Sequence, residues 1–194
     1  MKKVLLLGDS IRMGYDSIVK EMLEGKAEVF YDDFDNGRFS SYTLWQANQM
    51  MRKFGKFDIV HFNNGYWDMH IEAPMTEPIH PIPEYLSNLR RIVELCRTNG
   101  ATVIFASTVP VCKEGEGLDN TGTGANITYK NEWVVEYNKH AKALMEELGV
   151  IYNDLYEAML KDDNCYKCSD SLHLTEEGYT VCAKQIVDII EGLL

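Results

Sequence analysis

No stretch of this 194-residue chain stays apolar for the ~20 residues that a membrane-spanning helix needs. The apolar run behind Met1-Lys2-Lys3 stops at Gly8-Asp9. That is too short for a signal peptide, and no small-residue cleavage site follows it. A buried first strand in a cytoplasmic protein, with no membrane partner, is the expectation. Positive charge is scarce: 19 Lys and Arg face 30 Asp and Glu, for a net charge of −11. Nucleic acids and anionic bilayers are polyanions, so neither is expected as a partner. Cysteines are few and odd in number, five, which argues against a disulfide framework. Cys165-Tyr166-Lys167-Cys168 has metal-ligand or redox spacing. No second pair completes a four-ligand zinc set, and no thioredoxin-like strand–helix start precedes it. Neither a metal nor another cofactor is expected. Repeats, low-complexity tracts and linkers are absent too, so residues 1–194 are expected to form a single domain with a sizeable core. There is no Gly-x-Ser-x-Gly elbow, which speaks against the usual α/β-hydrolase arrangement.

What is present is an alternation of short apolar runs and helical periods. Residues 3–8, 27–31, 57–63, 102–107 and 150–152 read as strands. Residues 14–24, 43–54, 84–98, 131–148 and 175–193 read as helices, with apolar residues at helical spacing. Asn99-Gly100 and Gly149 mark C-termini, and Thr175-Glu176-Glu177 marks an N-terminus. Two long connections interrupt the pattern: a Pro-rich one over 65–83, through which no helix is expected to run, and a Gly-rich one over 109–129. Five strands joined by right-handed crossovers favour a parallel sheet in flavodoxin-like order. Sites in such sheets lie beyond the carboxyl ends of the strands, where Ser10, Asn63, Asn64 and Thr108 fall.

Two short motifs at opposite ends of the chain carry chemistry. Gly8-Asp9-Ser10 follows the first strand, and Asp170-Ser171-Leu172-His173 stands just before the last helix. A serine presented at a strand end is a candidate nucleophile, although serine before a helix is also an ordinary N-cap. A carboxylate three residues before a histidine in a turn can reach Nδ1–H and aim the other nitrogen at a nucleophile. Of the other four histidines, His61, His80 and His140 read as structural, and His70 is a candidate substrate contact.

These motifs resemble the SGNH (GDSL) hydrolase superfamily, and the resemblance spans nearly the whole chain. The run Gly8-Asp9-Ser10-Ile11-Arg12-Met13-Gly14-Tyr15 with Asn36-Gly37-Arg38-Phe39-Ser40 is similar to a bacterial branch of it. The resemblance implies a flavodoxin-like three-layer α/β/α sandwich with a five-stranded parallel sheet, and a serine esterase acting on small acyl esters. By position it makes Ser10 the nucleophile, His173 the base and Asp170 the orienting acid.

Two middle blocks depart from the family pattern. The second block aligns over Asn36–Thr43 and puts Ser41 at the oxyanion glycine, with Gly37 as the fallback. The third, normally Gly-x-Asn-Asp, reads Gly65-Tyr66-Trp67-Asp68. Trp67 thus replaces the asparagine donor, or Asn64 supplies the amide from the strand end. The implied oxyanion hole is Ser10, Ser41 and Asn64, with Trp67 as the alternative third donor. Arg12, Tyr66, Trp67 and His70 are the expected substrate-binding residues. The aromatics near the middle blocks lean toward an O-acetylated carbohydrate substrate over a long-chain lipid. The competing expectation is a ligand-binding module on the same scaffold, its altered middle blocks having cost it catalysis.

Overall fold

The computed structural model describes residues 1–112, 127–166 and 172–194. Strand β1 (Lys2–Gly8) leads into helix α1 (Ser10–Met22), β2 (Ala27–Phe30) and α2 (Ser40–Phe54). Next come β3 (Ile59–Asn63), a short α3 (Tyr66–Met69), β4 (Ile71–Glu72), α4 (Ile82–Asn99) and β5 (Thr102–Ala106). The remainder is β6 (Ile127–Thr128), α5 (Asn131–Leu148), β7 (Ile151–Asn153), α6 (Leu155–Met159), a 3₁₀ turn at Asp163–Cys165 and α7 (Glu176–Glu191).

The main sheet is parallel, in the order β2-β1-β3-β5-β7, which is the flavodoxin-like order. Helices α1 and α7 pack together, and α2, α4 and α5 pack in series, giving the three layers of the sandwich. The apolar runs are continuous rather than alternating because central parallel strands are covered on both faces. Val4, Leu5, Leu6 and Leu7 are all buried, as are Val60, Phe62, Ile104 and Phe105. Each such side chain contributes roughly 1.5–3 kcal/mol by leaving water. Register brings Gly8, Asn63, Ala106 and Asn153 level with one another at the carboxyl edge. The ends of four strands therefore form one platform.

Three elements differ from the sequence expectation for identifiable reasons. Helix α1 starts at Ser10, ahead of Gly14, because the Asp9 carboxylate caps it through Ile11 N–H at 3.0 Å. Gly14 sits inside the helix because the Tyr179 ring lies against it; a Cβ there would come within 2.0 Å of that ring. Helix α2 starts at Ser40 because its capping carboxylate, Asp68, arrives from another loop. The Pro-rich segment holds one helical turn, α3, placed ahead of its first proline. Its β4 pairs antiparallel with β6 of the second long connection. No helix among the described residues is long and apolar enough to cross a membrane.

Candidate active site

Ser10 and His173, far apart in the chain, meet above the carboxyl edge of the sheet. The His173 Nε2 lies 2.7 Å from the Ser10 Oγ. Ser10 owes its place to Gly8, whose φ of +141° suits glycine and whose missing Cβ would otherwise lie 2.2 Å from the Asn63 side chain. The chain therefore turns sharply off β1 and lifts the hydroxyl above the sheet. His173 is held by its neighbours. Leu172 and Leu174 are buried, and Thr175 caps α7 through Gly178 N–H at 3.0 Å. Thr175 N–H and its hydroxyl also donate to the Cys165 carbonyl at 3.0 and 3.1 Å. Asp170, expected to orient the base, lies outside the described residues, as does Cys168. No group of three or more His, Cys, Asp or Glu side chains able to hold a metal occurs among the described residues.

The clamp on His173 is testable. A Cβ on Gly178 would sit 2.0 Å from the Cys165 carbonyl oxygen, which is backbone and cannot swing aside. Gly178→Ala is expected to shift the start of α7 and His173 with it. Such overpacking costs about 1–3 kcal/mol of stability. A misplacement of about 1 Å lowers turnover roughly 100-fold. Thermal unfolding and steady-state hydrolysis measure the two effects separately.

The second-block loop is stitched to the same edge. Gly37 N–H donates to the Gly8 carbonyl at 2.8 Å, so it is not free for an oxyanion. Arg38 takes a left-handed φ of +46°, and its carbonyl accepts from Asn64 Nδ2 at 3.0 Å. The same Nδ2 donates to Thr43 Oγ1 at 2.8 Å. Asn64 is thus fully buried with both amide hydrogens spent on the loop, a correction to its expected oxyanion role. What remains open is backbone and indole. The N–H groups of Ser10 and Ser41 fall in the first turns of α1 and α2, where no intrahelical acceptor exists. The Trp67 indole packs against Phe39 and His70, and its N–H takes no partner among the described residues.

Three expected substrate contacts face inward instead. Arg12 is 0% exposed. Its guanidinium binds Asp16 at 2.6 Å and the carbonyls of Asp32 and Asp35 at 2.8 Å each. It therefore clamps the loop after β2 onto α1 and offers a substrate nothing. Tyr66 is buried, and its hydroxyl donates to the Val109 carbonyl at 2.7 Å. His70 is also 0% exposed, with Nε2 3.0 Å from Glu72 and Nδ1 3.3 Å from the Tyr129 hydroxyl. Burial holds its basicity below that of an ordinary imidazole.

A polar cluster beside Ser41 was not legible in the sequence. Buried Asp68 accepts from Ser40 N–H, from Ser40 Oγ at 2.5 Å and from His80 Nδ1 at 2.7 Å. The other ring nitrogen of His80 lies 3.3 Å from Ser41 Oγ. The only signal was Asp68 itself, the aspartate of the third block, because His80 stands in the Pro-rich connection with no spacing to mark it.

Asp9 supplies the main electrostatic anomaly. Burial raises its carboxyl to about 6, against the lowering effects of Asn63 Nδ2 (2.8 Å), Ile11 N–H and the neighbouring His173. A folded-state value above the unfolded value of 3.8 favours the neutral acid in the fold. Its stabilising contribution is therefore complete below about pH 4 and is lost as pH rises through about 6. Both hydrogen bonds end on Oδ1, which asparagine keeps. Asp9→Asn is expected to gain stability relative to wild type across that window, on the order of 3 kcal/mol by linkage. Denaturant titrations of both proteins at pH 4 and pH 7 measure it. The wild-type curve alone would mislead, because buried His61 is lowered to about 3 and contributes the opposite slope.

Fold and site together define a hydrolase that presents a serine and a histidine at the carboxyl edge of a flavodoxin-like sheet. Residues 6–181 match the model of the GDSL-like lipase/acylhydrolase family, and the chain belongs to that family, whose chemistry is carboxylic ester hydrolysis. The GDSL esterase/lipase WDL1 of Oryza sativa subsp. japonica is 30% identical over 118 residues, which are 59% of this chain and 45% of that protein. The isoamyl acetate-hydrolyzing esterase 1 homolog of Bos taurus is 26% identical over 97% of this chain and 81% of its own. Among solved structures, Est24, a carbohydrate acetylesterase from Sinorhizobium meliloti, superposes with a TM-score of 0.75 at 14% identity, covering all of both chains.

Proposed function

We propose that this chain is a serine esterase that removes small acyl groups, acetyl first among them, through an acyl-enzyme on Ser10. The observation that carries the proposal is the 2.7 Å contact between Ser10 Oγ and His173 Nε2. In the proposed cycle, His173 takes the Ser10 proton as Oγ attacks the ester carbonyl, then returns it to the departing alcohol. A water activated by the same imidazole releases the acid. Asp170 is assigned the orienting role. Charge developing on the carbonyl oxygen is met by the N–H groups of Ser10 and Ser41, with the Trp67 indole as third donor. Loss of one such donor typically costs 100- to 1,000-fold in rate.

Aromatic surface near the second block supports a sugar-bearing alcohol. Tyr42 and Trp45 pack at a tilt with ring centroids 5.4 Å apart, and Trp45 is 53% exposed. The names of two relatives, one acting on isoamyl acetate and one on acetylated carbohydrate, support the acetyl preference. The test is a series of p-nitrophenyl esters from acetate to octanoate, run beside acetylated mono- and oligosaccharides. Fastest turnover on acetate, with acetate released from the sugars, is the expected outcome. A preference for octanoate, or inertness toward every ester, would contradict it.

A further inference from the structure

Apart from the Ser10–His173 pair, the protein carries a serine–imidazole–carboxylate chain that starts in the first turn of α2. Ser41 Oγ lies 3.3 Å from His80 Nε2, and His80 Nδ1 lies 2.7 Å from Asp68 Oδ1. Asp68 is fully buried, and the His80 side chain is only 10% exposed. Ser40 fixes the carboxylate through its backbone N–H and hydroxyl, and Asn88 Nδ2 fixes that hydroxyl at 3.1 Å. The His80–Ser41 link is not needed to start α2, since the Ser40 N–H bonds to Asp68 already cap it. It also stands where the family's third-block asparagine donor is missing, replaced by Trp67, with the Asn64 amide spent elsewhere.

We propose that Ser41 gives the oxyanion a side-chain donor as well as its backbone N–H, with His80 as the positioning residue that turns the Ser41 hydroxyl outward. Nδ1–H of His80 is committed to Asp68. If Nε2 also carries a proton, it donates to Ser41 Oγ, and the serine's own O–H must point elsewhere, toward the site. If Nε2 were bare, it would draw the Ser41 proton to itself and leave the oxyanion none. Charged groups face His80 from two elements, Asp68 of α3 and Glu84 of α4, the latter 3.8 Å from Nε2. Both favour the imidazolium, and the bond to Asp68 raises His80 above an ordinary histidine. Ser41 belongs to the same edge as Ser10, because Gly37 N–H ties its loop to the Gly8 carbonyl. A hydroxyl accepting from an imidazolium is also a stronger donor than a free one.

The inference rests on the esterase proposal, and one set of variants separates the two. On p-nitrophenyl acetate, Ser41→Ala keeps the backbone N–H and loses only the hydroxyl. It is expected to lower kcat roughly 100-fold with KM little changed. Ser41→Thr, which keeps a hydroxyl, should recover most of the loss. His80→Ala should lower kcat about tenfold or more in the wild-type background and hardly at all on top of Ser41→Ala, the mark of one residue acting through another. His80→Gln, whose amide can still donate to Ser41, should fall between, and melting curves show which variants remain folded. Full activity in folded Ser41→Ala, or an equal His80→Ala penalty in both backgrounds, would overturn the inference while leaving the esterase proposal standing. So would a phosphonate adduct on Ser41, since an attacking hydroxyl cannot be the stabilising donor. A wild-type protein inert toward all esters would bring down both.

Discussion

Ser10→Ala is expected to abolish ester hydrolysis, lowering kcat by roughly 10⁴- to 10⁶-fold, while the protein melts where wild type does. Among the described residues the only side-chain bond of Ser10 is to His173, so its loss there leaves no other buried group unpaired. Its backbone N–H, one of the proposed oxyanion donors, survives the substitution. Whatever residual rate remains is therefore the contribution of binding and donors without a nucleophile. His173→Ala should be nearly as severe. Because the two act as a unit, the double variant should be no worse than the more damaging single one. Effects that multiplied would mean that serine and histidine serve separate steps, and a Ser10→Ala enzyme with substantial activity would place the nucleophile elsewhere.

Arg12→Ala should be the most destabilising single change. The guanidinium is buried with one carboxylate and two carbonyls as partners, and alanine would leave Asp16 facing them without a counter-charge. Breaking a buried pair from one side costs about 3–5 kcal/mol. For a chain of this size that is a fall in Tm of roughly 10 °C. Burial already raises Asp16, and the guanidinium is what holds that rise back, so the carboxyl should become still harder to ionise. Arg12→Lys should rescue little, since one ammonium cannot reproduce the planar fork that reaches Asp16, Asp32 and Asp35 together. The loop it anchors continues into Gly37 and α2, so turnover should drop even where the variant stays folded. A variant melting within about 2 °C of wild type would show that the clamp is not structural.

The contrast between these two residues shows what the sequence could express. Ser10 was legible because its role is local: a glycine ends an apolar strand, and the next polar residues stand at its edge. The strands were legible for a similar reason, since short continuous apolar runs such as Val4–Leu7, ended by a glycine, suit parallel strands covered on both faces. Arg12 read as a substrate contact because nothing nearby in the chain announces the loop that folds over it. The start of α2 was missed because its cap, Asp68, lies in a different loop. Asn64 looked like a free amide at a strand end, yet tertiary partners consume both of its hydrogens. His80 carried no local mark at all. Its meaning comes from a bond across the Pro-rich connection to Asp68 and another to Ser41.

The most direct test treats the wild-type protein with a p-nitrophenyl alkylphosphonate and locates the adduct by peptide mass spectrometry. The account predicts one phosphonyl group per chain, on Ser10, with labelling lost in a folded His173→Ala variant. An adduct on any other residue, or no adduct on a folded wild-type protein, would contradict it.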